Sequence, residues 1–482
     1  MMRINQRTPI LAAVLTLLFF TGLGPAIRAQ APAAQPPAAP APVVPAQPAL
    51  EPAALEKKID ELLAAHAKVN GFSGSVLLAS RGVPLFAKGI GYANVEWQIP
   101  NTTKTKFRIG SMTKQFTSML VMQLREQGKI KLEDSVCVYV TPCPDAWKPV
   151  TIHHLLTHTS GIPTYTGIAA WQATMMVPKT IEQMVAIFRD LPLQWVPGEK
   201  YAYNNSGYFL LGVVIEKASG RKYEQALQEM ILTPLGLTDT GYDWSKTILP
   251  RRASGYSGRG DTLQNATPVD MQQPYAAGAM YSTVDDLLKW DQALYTEKLL
   301  PAAAKLVMWT PVKDNYAYGW TVGEPAAAFG GYKRIAHNGG INGFSSVIFR
   351  LPDPNVTVIV LSNNATANAT AIGRDLVALY YGQPYQTPAE RTVATIDPAV
   401  FDRYAAKYEV TPAFAVTITR EGTHYFGQAT GQGKFEIFPE SETSFFAKVP
   451  ELTIAFVKDA GGKVTHFMIT QAGRTTKATR IE

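Results

Sequence analysis

The stretch that decides the fold of this 482-residue chain is Phe107-Arg108-Ile109-Gly110-Ser111-Met112-Thr113-Lys114-Gln115-Phe116. It puts a serine at the start of a predicted helix and a lysine three residues later, and positions i and i+3 of a helix share one face. The Ser111 hydroxyl and the Lys114 amine can therefore come within hydrogen-bond distance. A serine needs an adjacent base to act as a nucleophile, and a lysine can be that base only where burial or a nearby cation lowers its pKa.

The residues after this pair predict a buried helix, because apolar side chains recur at helical spacing before a stop signal at Gly128. A Ser-x-x-Lys pattern alone is weak evidence, since a chain of this length contains about one by chance. A second copy, Ser219-Gly220-Arg221-Lys222, lies where one predicted helix ends and another begins, which favours turn chemistry for its serine. Without further partners, Ser111 is explained equally well as an N-cap serine followed by a solvated lysine. The apolar positions are Met112, Phe116, Met119, Leu120 and Leu124.

The charge pattern gives no reason to expect a nucleic-acid partner. The formal net charge of +7 is spread along the chain, with no block of Lys and Arg and no phosphate-cradling Gly-Lys loop. Three histidines lie close together in sequence, at His153, His154 and His158, but no HExxH pattern and no zinc-ligand spacing accompanies them. A serine–lysine centre needs no metal, so we expect no metal ion and no cofactor.

The N-terminus is typical of a secretory signal peptide, predicted here to span residues 1–29. Arg3 and Arg7 precede an apolar run over residues 10–20, and small residues follow as far as Ala29. Because the run is too short to span a bilayer comfortably, we expect a periplasmic or secreted protein with no stable membrane span after cleavage. An uncleaved anchor is the alternative. Residues 30–54 are almost wholly Ala, Pro, Gln and Val, which predicts an extended linker.

The two cysteines of the chain, Cys137 and Cys143, flank a short loop that contains Pro142. In an oxidising compartment such a pair is expected to form a disulfide that rigidifies the loop. Because the loop is short, the bond should add only modestly to the free energy of unfolding. Two free buried thiols are the alternative.

The order of the other predicted elements indicates an α/β fold. Strands occur early and late in the first 382 residues, and mainly helical segments lie between them. This order suits one antiparallel sheet that collects strands from both ends and is flanked by helices, with an all-helical subdomain inserted. The predicted elements are a helix beginning near Leu55, a hairpin at residues 75–79 and 83–92, strands at 332–336, 344–351 and 356–362, and a helix at 369–381.

Two further motifs carry polar groups that can meet the serine–lysine pair. Tyr203-Asn204-Asn205 comes before an apolar helix, so a tyrosine that relays a proton and an asparagine that holds a substrate amide can point into one cleft. Polar residues that only pack a loop are the alternative. His337-Asn338-Gly339-Gly340 directly follows the predicted strand at 332–336, which it is expected to end.

The three motifs, in this order, resemble those of the β-lactamase-related family of serine hydrolases. This family includes class C β-lactamases, penicillin-binding proteins, D-Ala-D-Ala carboxypeptidases and esterases. The resemblance covers about residues 55–382 and implies a β-lactamase/transpeptidase-like fold for a catalytic domain. It also implies acyl transfer, with Ser111 as nucleophile, Lys114 and Tyr203 sharing the proton transfers, and Asn205 orienting substrate and lysine. The substrate would be a small-molecule or peptide acyl compound, such as one derived from peptidoglycan.

The third motif, His337-Asn338-Gly339, stands where the family has Lys-Thr-Gly. The resemblance implies an oxyanion hole formed by the backbone N–H groups of Ser111 and Gly340. A histidine, with an unperturbed pKa of about 6.5, can be neutral where the family's lysine helps to hold a substrate carboxylate. That departure weakens the case for β-lactams and D-Ala-D-Ala peptides and leaves esters, amides and D-amino-acid peptides. The alternative is an inactive relative that binds cell-wall fragments or a partner protein.

The composition changes after Gly382. Residues 383–399 predict a linker, and residues 400–482 a small antiparallel all-β domain that opens with a short helix at 401–408. This part resembles the lipocalin-like C-terminal domain of some family members, and nothing in it indicates chemistry. Its predicted strands are 414–418, 424–426, 434–438, 444–447, 452–457 and 464–469.

Overall fold

The computed structural model describes residues 50–388, 393–411, 414–430, 433–447, 452–471 and 474–481. The predicted signal peptide, residues 30–49 of the first linker and residues 389–392 of the second lie outside them. Within the described residues, no helix has the length and apolar character needed to cross a membrane.

The helices of the described residues are α1 (Pro52–Asn70), α2 (Thr113–Glu126), α3 (Ile152–Leu156), α4 (Ala169–Gln172), α5 (Ile181–Ala186), α6 (Asn205–Ser219), α7 (Tyr223–Leu227), α8 (Thr233–Leu235), α9 (Tyr275–Gly278), α10 (Val284–Ala293), α11 (Ala302–Met308), α12 (Ala369–Tyr380) and α13 (Pro398–Phe401).

The strands fall into two groups along the chain. The first group is β1 (Gly74–Ser80), β2 (Val83–Ile90), β3 (Tyr92–Asn94), β4 (Ile99–Pro100), β5 (Phe107–Arg108), β6 (Gly241–Tyr242), β7 (Tyr256–Ser257), β8 (Gln264–Asn265), β9 (Met280–Ser282), β10 (Thr321–Gly323), β11 (Arg334–Ile341), β12 (Phe344–Leu351) and β13 (Val356–Ser362). The second is β14 (Ala406–Thr411), β15 (Phe414–Glu421), β16 (His424–Ala429), β17 (Lys434–Pro439), β18 (Ser444–Ala447), β19 (Leu452–Lys458), β20 (Val464–Gln471) and β21 (Arg474–Arg480).

The central sheet has the strand order β10-β11-β12-β13-β1-β2, and its neighbouring strands are antiparallel. Successive residues of a strand point to opposite faces. Leu77 and Leu361 accordingly join the core beneath α2 and α10, whereas Val76 and Val360 join the core beneath α1 and α12. Helices therefore cover both faces of a sheet whose strands come from both ends of the first group. This confirms the predicted fold class.

The region between α2 and β6 is mainly helical, as predicted, with α3 to α8 in succession. Cys137 and Cys143 form the predicted disulfide in this region, and their Cα atoms lie 5.3 Å apart. At the other end of the described residues, α1 begins at Pro52 rather than at Leu55. Proline is favoured in the first turn of a helix because its missing N–H would lack an intrahelical partner there. The last three residues of the predicted linker therefore belong to α1.

The prediction that His337 ends its strand is wrong. β11 continues to Ile341, and its residues 337–341 pair with residues 344–348 of β12. Glycines resemble turn residues in a sequence, but Gly339 here lets a neighbouring segment approach the strand closely, since a Cβ would lie 1.9 Å from the carbonyl oxygen of Ile109. The motif therefore lies on a rigid edge of the central sheet.

The described residues from 406 onwards form a closed barrel of eight antiparallel strands, two more than predicted. The helix predicted at 401–408 is wrong, because α13 ends at Phe401 and β14 begins at Ala406. β21 was missed because its sequence, Arg-Thr-Thr-Lys-Ala-Thr-Arg, has no apolar alternation. Packed aromatic rings occupy the barrel core, with centroids 4.3 Å apart for Tyr404 and Phe456.

Candidate active site

Ser111 lies at the junction of β5 and α2, in a 3₁₀ turn over Gly110–Met112. β5 pairs with β9, which fixes one side of this turn. Gly110 has a φ of +50°, and a Cβ at this position would lie 2.9 Å from the backbone N of Gly340. Glycine therefore meets two needs at once, a left-handed backbone and direct contact with β11. The result is that Ser111 lies beside the strand that carries the third motif.

Lys114 is fully buried, with no measurable exposure, on the first turn of α2. Its Nζ lies 3.1 Å from Ser111 Oγ, 2.9 Å from Asn205 Oδ1 and 2.9 Å from the carbonyl oxygen of Ala277. A neutral amine can donate its two N–H groups to the two carbonyl oxygens. Its lone pair then remains for the hydroxyl proton of Ser111. The contacts thus suit an amine that acts as a base.

Two effects on the charge of Lys114 oppose each other. Burial lowers the pKa of Lys114 well below its usual value. The ring of Tyr203 favours the charged form, because its centroid lies 4.8 Å from Nζ and an aromatic face attracts a cation. A cation–π contact contributes about 1–2 kcal/mol, whereas desolvating a buried ammonium costs several kcal/mol. Desolvation therefore dominates, and the environment favours the neutral amine.

Tyr203 covers the pair from the loop before α6. The residue is 38% exposed as a whole, while its hydroxyl faces the Ser111 side chain. Burial raises the pKa of Tyr203 above its usual value, and the hydrogen bond with Ser111 offsets only part of this rise. The phenol therefore keeps its proton at neutral pH and has one to pass on.

Asn205 is the first residue of α6, and its neighbour Asn204 caps that helix. The Asn205 N–H donates to Thr164 Oγ1 at 3.1 Å, and its Nδ2 donates to Thr166 Oγ1 at 3.3 Å. The bond from Nδ2 orients the side-chain amide so that its oxygen faces Lys114. The carbonyl oxygen Oδ1 is therefore held ready to accept from Nζ.

His158 is part of this site, although no catalytic or binding role was predicted for it from the sequence. Its Nδ1 accepts the backbone N–H of Asn204 at 3.1 Å, and its ring centroid lies 4.4 Å from that of Tyr203. Burial, with smaller effects from Lys114 and His337, lowers the pKa of His158 well below its usual value. A neutral imidazole thus supports the loop that carries Tyr203. In the sequence, His158 lies in Thr157-His158-Thr159-Ser160-Gly161. The chemistry of a serine–lysine pair requires no histidine there, so this segment did not stand out.

His337 lies behind the cleft rather than in it. Its side chain is buried, Nε2 lies 2.9 Å from the Tyr316 hydroxyl, and Nδ1 lies 2.5 Å from the carbonyl oxygen of Asn338. Burial lowers the pKa of His337 to about 3, and the charge of Lys114 acts in the same direction. With both ring nitrogens of His337 engaged, the parts of β11 open to a substrate are the exposed Asn338 and the backbone edge.

The register of β11 against β12 shows which backbone N–H groups point towards this edge. A two-residue turn joins Ile341 to Phe344, which makes them a hydrogen-bonded pair of the β11–β12 ladder. Bonded and non-bonded pairs alternate in such a ladder, so the N–H groups of Asn338 and Gly340 point away from β12. A Cβ at Gly340 would meet no atom within 4 Å. The Gly340 N–H lies next to the turn that carries Ser111, since a Cβ at Gly110 would lie 2.9 Å from the Gly340 nitrogen.

Replacing Gly339 by alanine is expected to lower both the melting temperature and kcat/KM. A Cβ at Gly339 would lie 1.9 Å from the carbonyl oxygen of Ile109, so the turn and the strand must separate. A misplacement of about 1 Å in a catalytic site can cost about a hundred-fold in rate. Gly340→Ala is the matched control for folding and should keep the wild-type melting temperature, because its Cβ meets open space. Wild-type stability and kinetics in Gly339→Ala would contradict this account of the packing.

Neutrality of His337 gives a second prediction. A pKa of about 3 means that His337 takes up a proton only as the pH falls towards that value. We therefore expect its ring to remain neutral between about pH 8 and 5, where an unperturbed histidine titrates. The measurement is the ¹⁵N chemical shifts of labelled imidazoles across this range, with the His337 signals assigned from their absence in His337→Asn. A midpoint near 6.5 for those signals would refute the prediction.

The chain is similar to known proteins in both sequence and fold. The profile of the protein family described as "Beta-lactamase" matches residues 55–382. The chain is 30% identical over 456 residues to "Penicillin-binding protein 4*" of Bacillus subtilis (strain 168), covering 88% of this chain and 99% of that protein.

Two solved structures extend the comparison. The octameric penicillin-binding protein homologue from Pyrococcus abyssi is 26% identical with a TM-score of 0.61, covering 89% of this chain and 100% of that one. The D-stereospecific amidohydrolase from Streptomyces sp. is 26% identical with a TM-score of 0.57, covering 70% of this chain and 100% of that one. The first therefore resembles more of this chain than the second.

Proposed function

The chain belongs to the β-lactamase family of serine hydrolases, and from this premise we propose that it cleaves an amide, β-lactam or ester through an acyl-enzyme on Ser111. The observation that carries the proposal is the environment of Lys114. Its buried amine lies 3.1 Å from the Ser111 hydroxyl and has two carbonyl oxygens as its other partners. No solvated N-cap pair has these contacts, so the simpler explanation of the motif loses its support.

The proposed reaction begins with attack by Ser111 Oγ on the substrate carbonyl carbon. Lys114 accepts the hydroxyl proton as the Oγ–C bond forms, and the developing oxyanion accepts hydrogen bonds from the N–H groups of Ser111 and Gly340. Collapse of this intermediate breaks the bond to the leaving group, which takes a proton through Tyr203. Water then hydrolyses the acyl-enzyme with the same groups acting in reverse order.

The opposite pKa shifts of Lys114 and Tyr203 support these roles. Burial disfavours the charged form of each group, so it favours the deprotonated amine of Lys114 and the protonated phenol of Tyr203. A base must lack a proton at working pH, and an acid must carry one. We therefore assign the base to Lys114 and the proton donor to Tyr203, with Asn205 holding the lysine.

Among the substrate types, an amide is the one to test first. A neutral, buried His337 supplies no positive charge to a carboxylate on the leaving group, which weakens the case for β-lactams. The similarity to a D-stereospecific amidohydrolase, at 26% identity, supports an amide. The remaining candidates are esters and D-amino-acid peptides.

Turnover and acyl-enzyme trapping test the proposal directly. The purified protein and Ser111→Ala are each assayed with a D-amino-acid 4-nitroanilide, a chromogenic cephalosporin and a 4-nitrophenyl ester. Acid-quenched samples are digested and searched by mass spectrometry for an acyl adduct on the peptide that contains Ser111. We expect turnover and adduct only with the serine present. Absence of both on every substrate would support the alternative of an inactive protein that binds cell-wall fragments or a partner.

We also propose that the protein is exported. The predicted signal peptide at 1–29 supports this, as does the disulfide between Cys137 and Cys143, since disulfides persist in oxidising compartments. The organisation proposed for the mature chain is a linker at 30–54, a catalytic domain at 55–382, a second linker at 383–399 and a β domain at 400–482. N-terminal sequencing of the protein from its producing cells should begin at Gln30, and an intact Met1 would contradict export by cleavage.

A further inference from the structure

A cavity of about 640 Å³ lies beside β5, the strand that leads into the turn with Ser111. Its wall includes Arg108, three residues before Ser111, and Asn342, two residues after Gly340. It therefore adjoins both segments that contribute backbone donors to the candidate active site. Among the described residues that line it none is acidic, and three are basic: Arg108, Lys246 and Arg252.

The two arginines of the cavity share one carboxylate. Arg108 Nε donates to Asp243 Oδ2 at 2.6 Å, and Arg252 Nη1 donates to Asp243 Oδ1 at 2.8 Å. Asp243 is buried and can balance only one of the two positive charges. The other N–H groups of each guanidinium have no partner in the part of the chain that the structure describes. One uncompensated charge with free, preorganised donors is therefore available to an anion.

The position of the proton carriers indicates which part of a substrate reaches this cavity. The ring of Tyr203 lies 6.2 Å from that of His337, on the side of β11 before Gly340. The leaving group must lie near Tyr203, because it takes its proton from there. The acyl part then extends in the other direction along β11, past Gly340 towards Asn342. That is the direction of the cavity.

We propose that this cavity binds an acidic group on the acyl part of the substrate, so that the protein prefers derivatives of dicarboxylic acids or of acidic amino acids. The proposal rests on the proposed function of Ser111. Arg108 and Arg252 donate hydrogen bonds to the acidic group, and the exposed Lys246 adds a weaker, salt-sensitive attraction. Positive charge is thus offered to the acyl part, while the buried His337 offers none to the leaving group.

The first test compares two chromogenic esters that differ only in the charge of the acyl part. These are the mono-4-nitrophenyl ester of adipic acid and the corresponding ester of adipic acid monoamide. We expect wild-type kcat/KM to favour the acid. In Arg252→Gln the ratio of acid to amide should fall about ten-fold, mainly through KM, as expected for loss of one charge-assisted hydrogen bond. Arg108 still pairs with Asp243 in this variant, so the fold should be retained.

Arg251→Gln is the matched control. Arg251 is the exposed neighbour of Arg252, donates to Asp239 at 3.0 Å and does not line the cavity. It should keep the wild-type ratio of acid to amide. An equal loss of selectivity in both variants, or no preference for the acid in wild type, would overturn the proposal.

A second pair of esters puts the charge on the leaving group, as 4-hydroxybenzoate against 4-hydroxybenzamide esters of one neutral acid. Arg252→Gln should not change the selectivity between these two. If it changes the selectivity here and not in the adipate pair, the acyl part does not occupy the cavity and the proposal fails.

A binding measurement tests the cavity independently of turnover at Ser111. Monomethyl adipate and its neutral monoamide are titrated calorimetrically into Ser111→Ala and into Ser111→Ala with Arg252→Gln. Tighter binding of the acid to the single variant, lost in the double variant, supports the cavity even if wild type hydrolyses neither ester and the proposed function fails. Equal binding of the two probes to the single variant refutes the proposal, whatever the turnover.

Discussion

Lys114→Met is expected to lower kcat/KM by about a thousand-fold to ten-thousand-fold on any substrate that wild type hydrolyses. Loss of a positioned general base costs about 10²–10⁴ in rate, and among the described residues Lys114 is the amine that hydrogen-bonds with the Ser111 hydroxyl. Methionine keeps the length and apolar stem of the side chain without placing a charge in the fully buried position. The loss should therefore appear in kcat, with the circular dichroism spectrum and melting temperature close to those of wild type.

The second Ser-x-x-Lys sequence provides the control. Lys222 also stands three residues after a serine, but its side chain is exposed and pairs with Glu216 at 3.3 Å. Lys222→Met should keep wild-type kinetics. Loss of activity in both variants to the same degree, or retention of more than about a tenth of kcat in Lys114→Met, would show that Lys114 is not the base.

The pH dependence of wild-type kcat/KM should also report whether Lys114 is the base. Protonated Lys114 cannot accept the serine proton, so kcat/KM should rise with pH as Lys114 loses its proton and then level off. Because burial lowers the pKa of Lys114, this rise should lie well below the value near 10.5 of an exposed lysine. Activity that rises only where free lysine titrates would mean that the amine is charged in the folded protein.

Asp291→Ala is expected to lower the free energy of unfolding by about 3–5 kcal/mol, the usual cost of removing one partner from a buried ion pair. Asp291 on α10 and Arg350 on β12 are both fully buried and hydrogen-bond through Asp291 Oδ1 and Arg350 Nε. The other carboxylate oxygen accepts from Thr357 Oγ1 at 2.5 Å. Without Asp291 the guanidinium keeps its charge, and the rings of Tyr295, Trp309 and Trp320, at 4.9, 5.1 and 5.8 Å, cannot neutralise it. Urea denaturation followed by tryptophan fluorescence measures the loss.

An exposed pair of the same chemistry is the control for this variant. Lys88 donates to Asp60 at 2.8 Å, but both side chains are more than one-third exposed. Asp60→Ala should cost less than about 1 kcal/mol, because solvent screens the pair. A double variant, Asp291→Leu with Arg350→Met, should recover much of the stability, since it removes both charges together. An equally severe loss in the double variant would show that packing, rather than the unpaired charge, sets the cost.

The sequence by itself determined what depends on short separations along the chain. Ser111 and Lys114 meet because three residues of helix bring two side chains to one face, whatever surrounds them. Five of the six strands of the central sheet were predicted from local sequence patterns, and only β10 (Thr321–Gly323) was missed. The disulfide was predicted from two cysteines six residues apart. The same approach failed at β21, whose polar sequence carries no alternation, and at residues 337–341, where glycine in a strand resembles a turn.

Only the tertiary structure decided which distant groups complete the site and in which charge states. Asn205 is 91 residues from Lys114 in sequence, and Ala277 is 163 residues away, yet both hydrogen-bond with its amine. The burial that lowers the pKa of Lys114 is a property of all the elements packed around it, so no local pattern reports it. The same holds for His337, which the fold turns away from the cleft, and for the two arginines that converge on Asp243. Local geometry follows from the order of residues, whereas desolvation and charge pairing arise only when separate segments pack together.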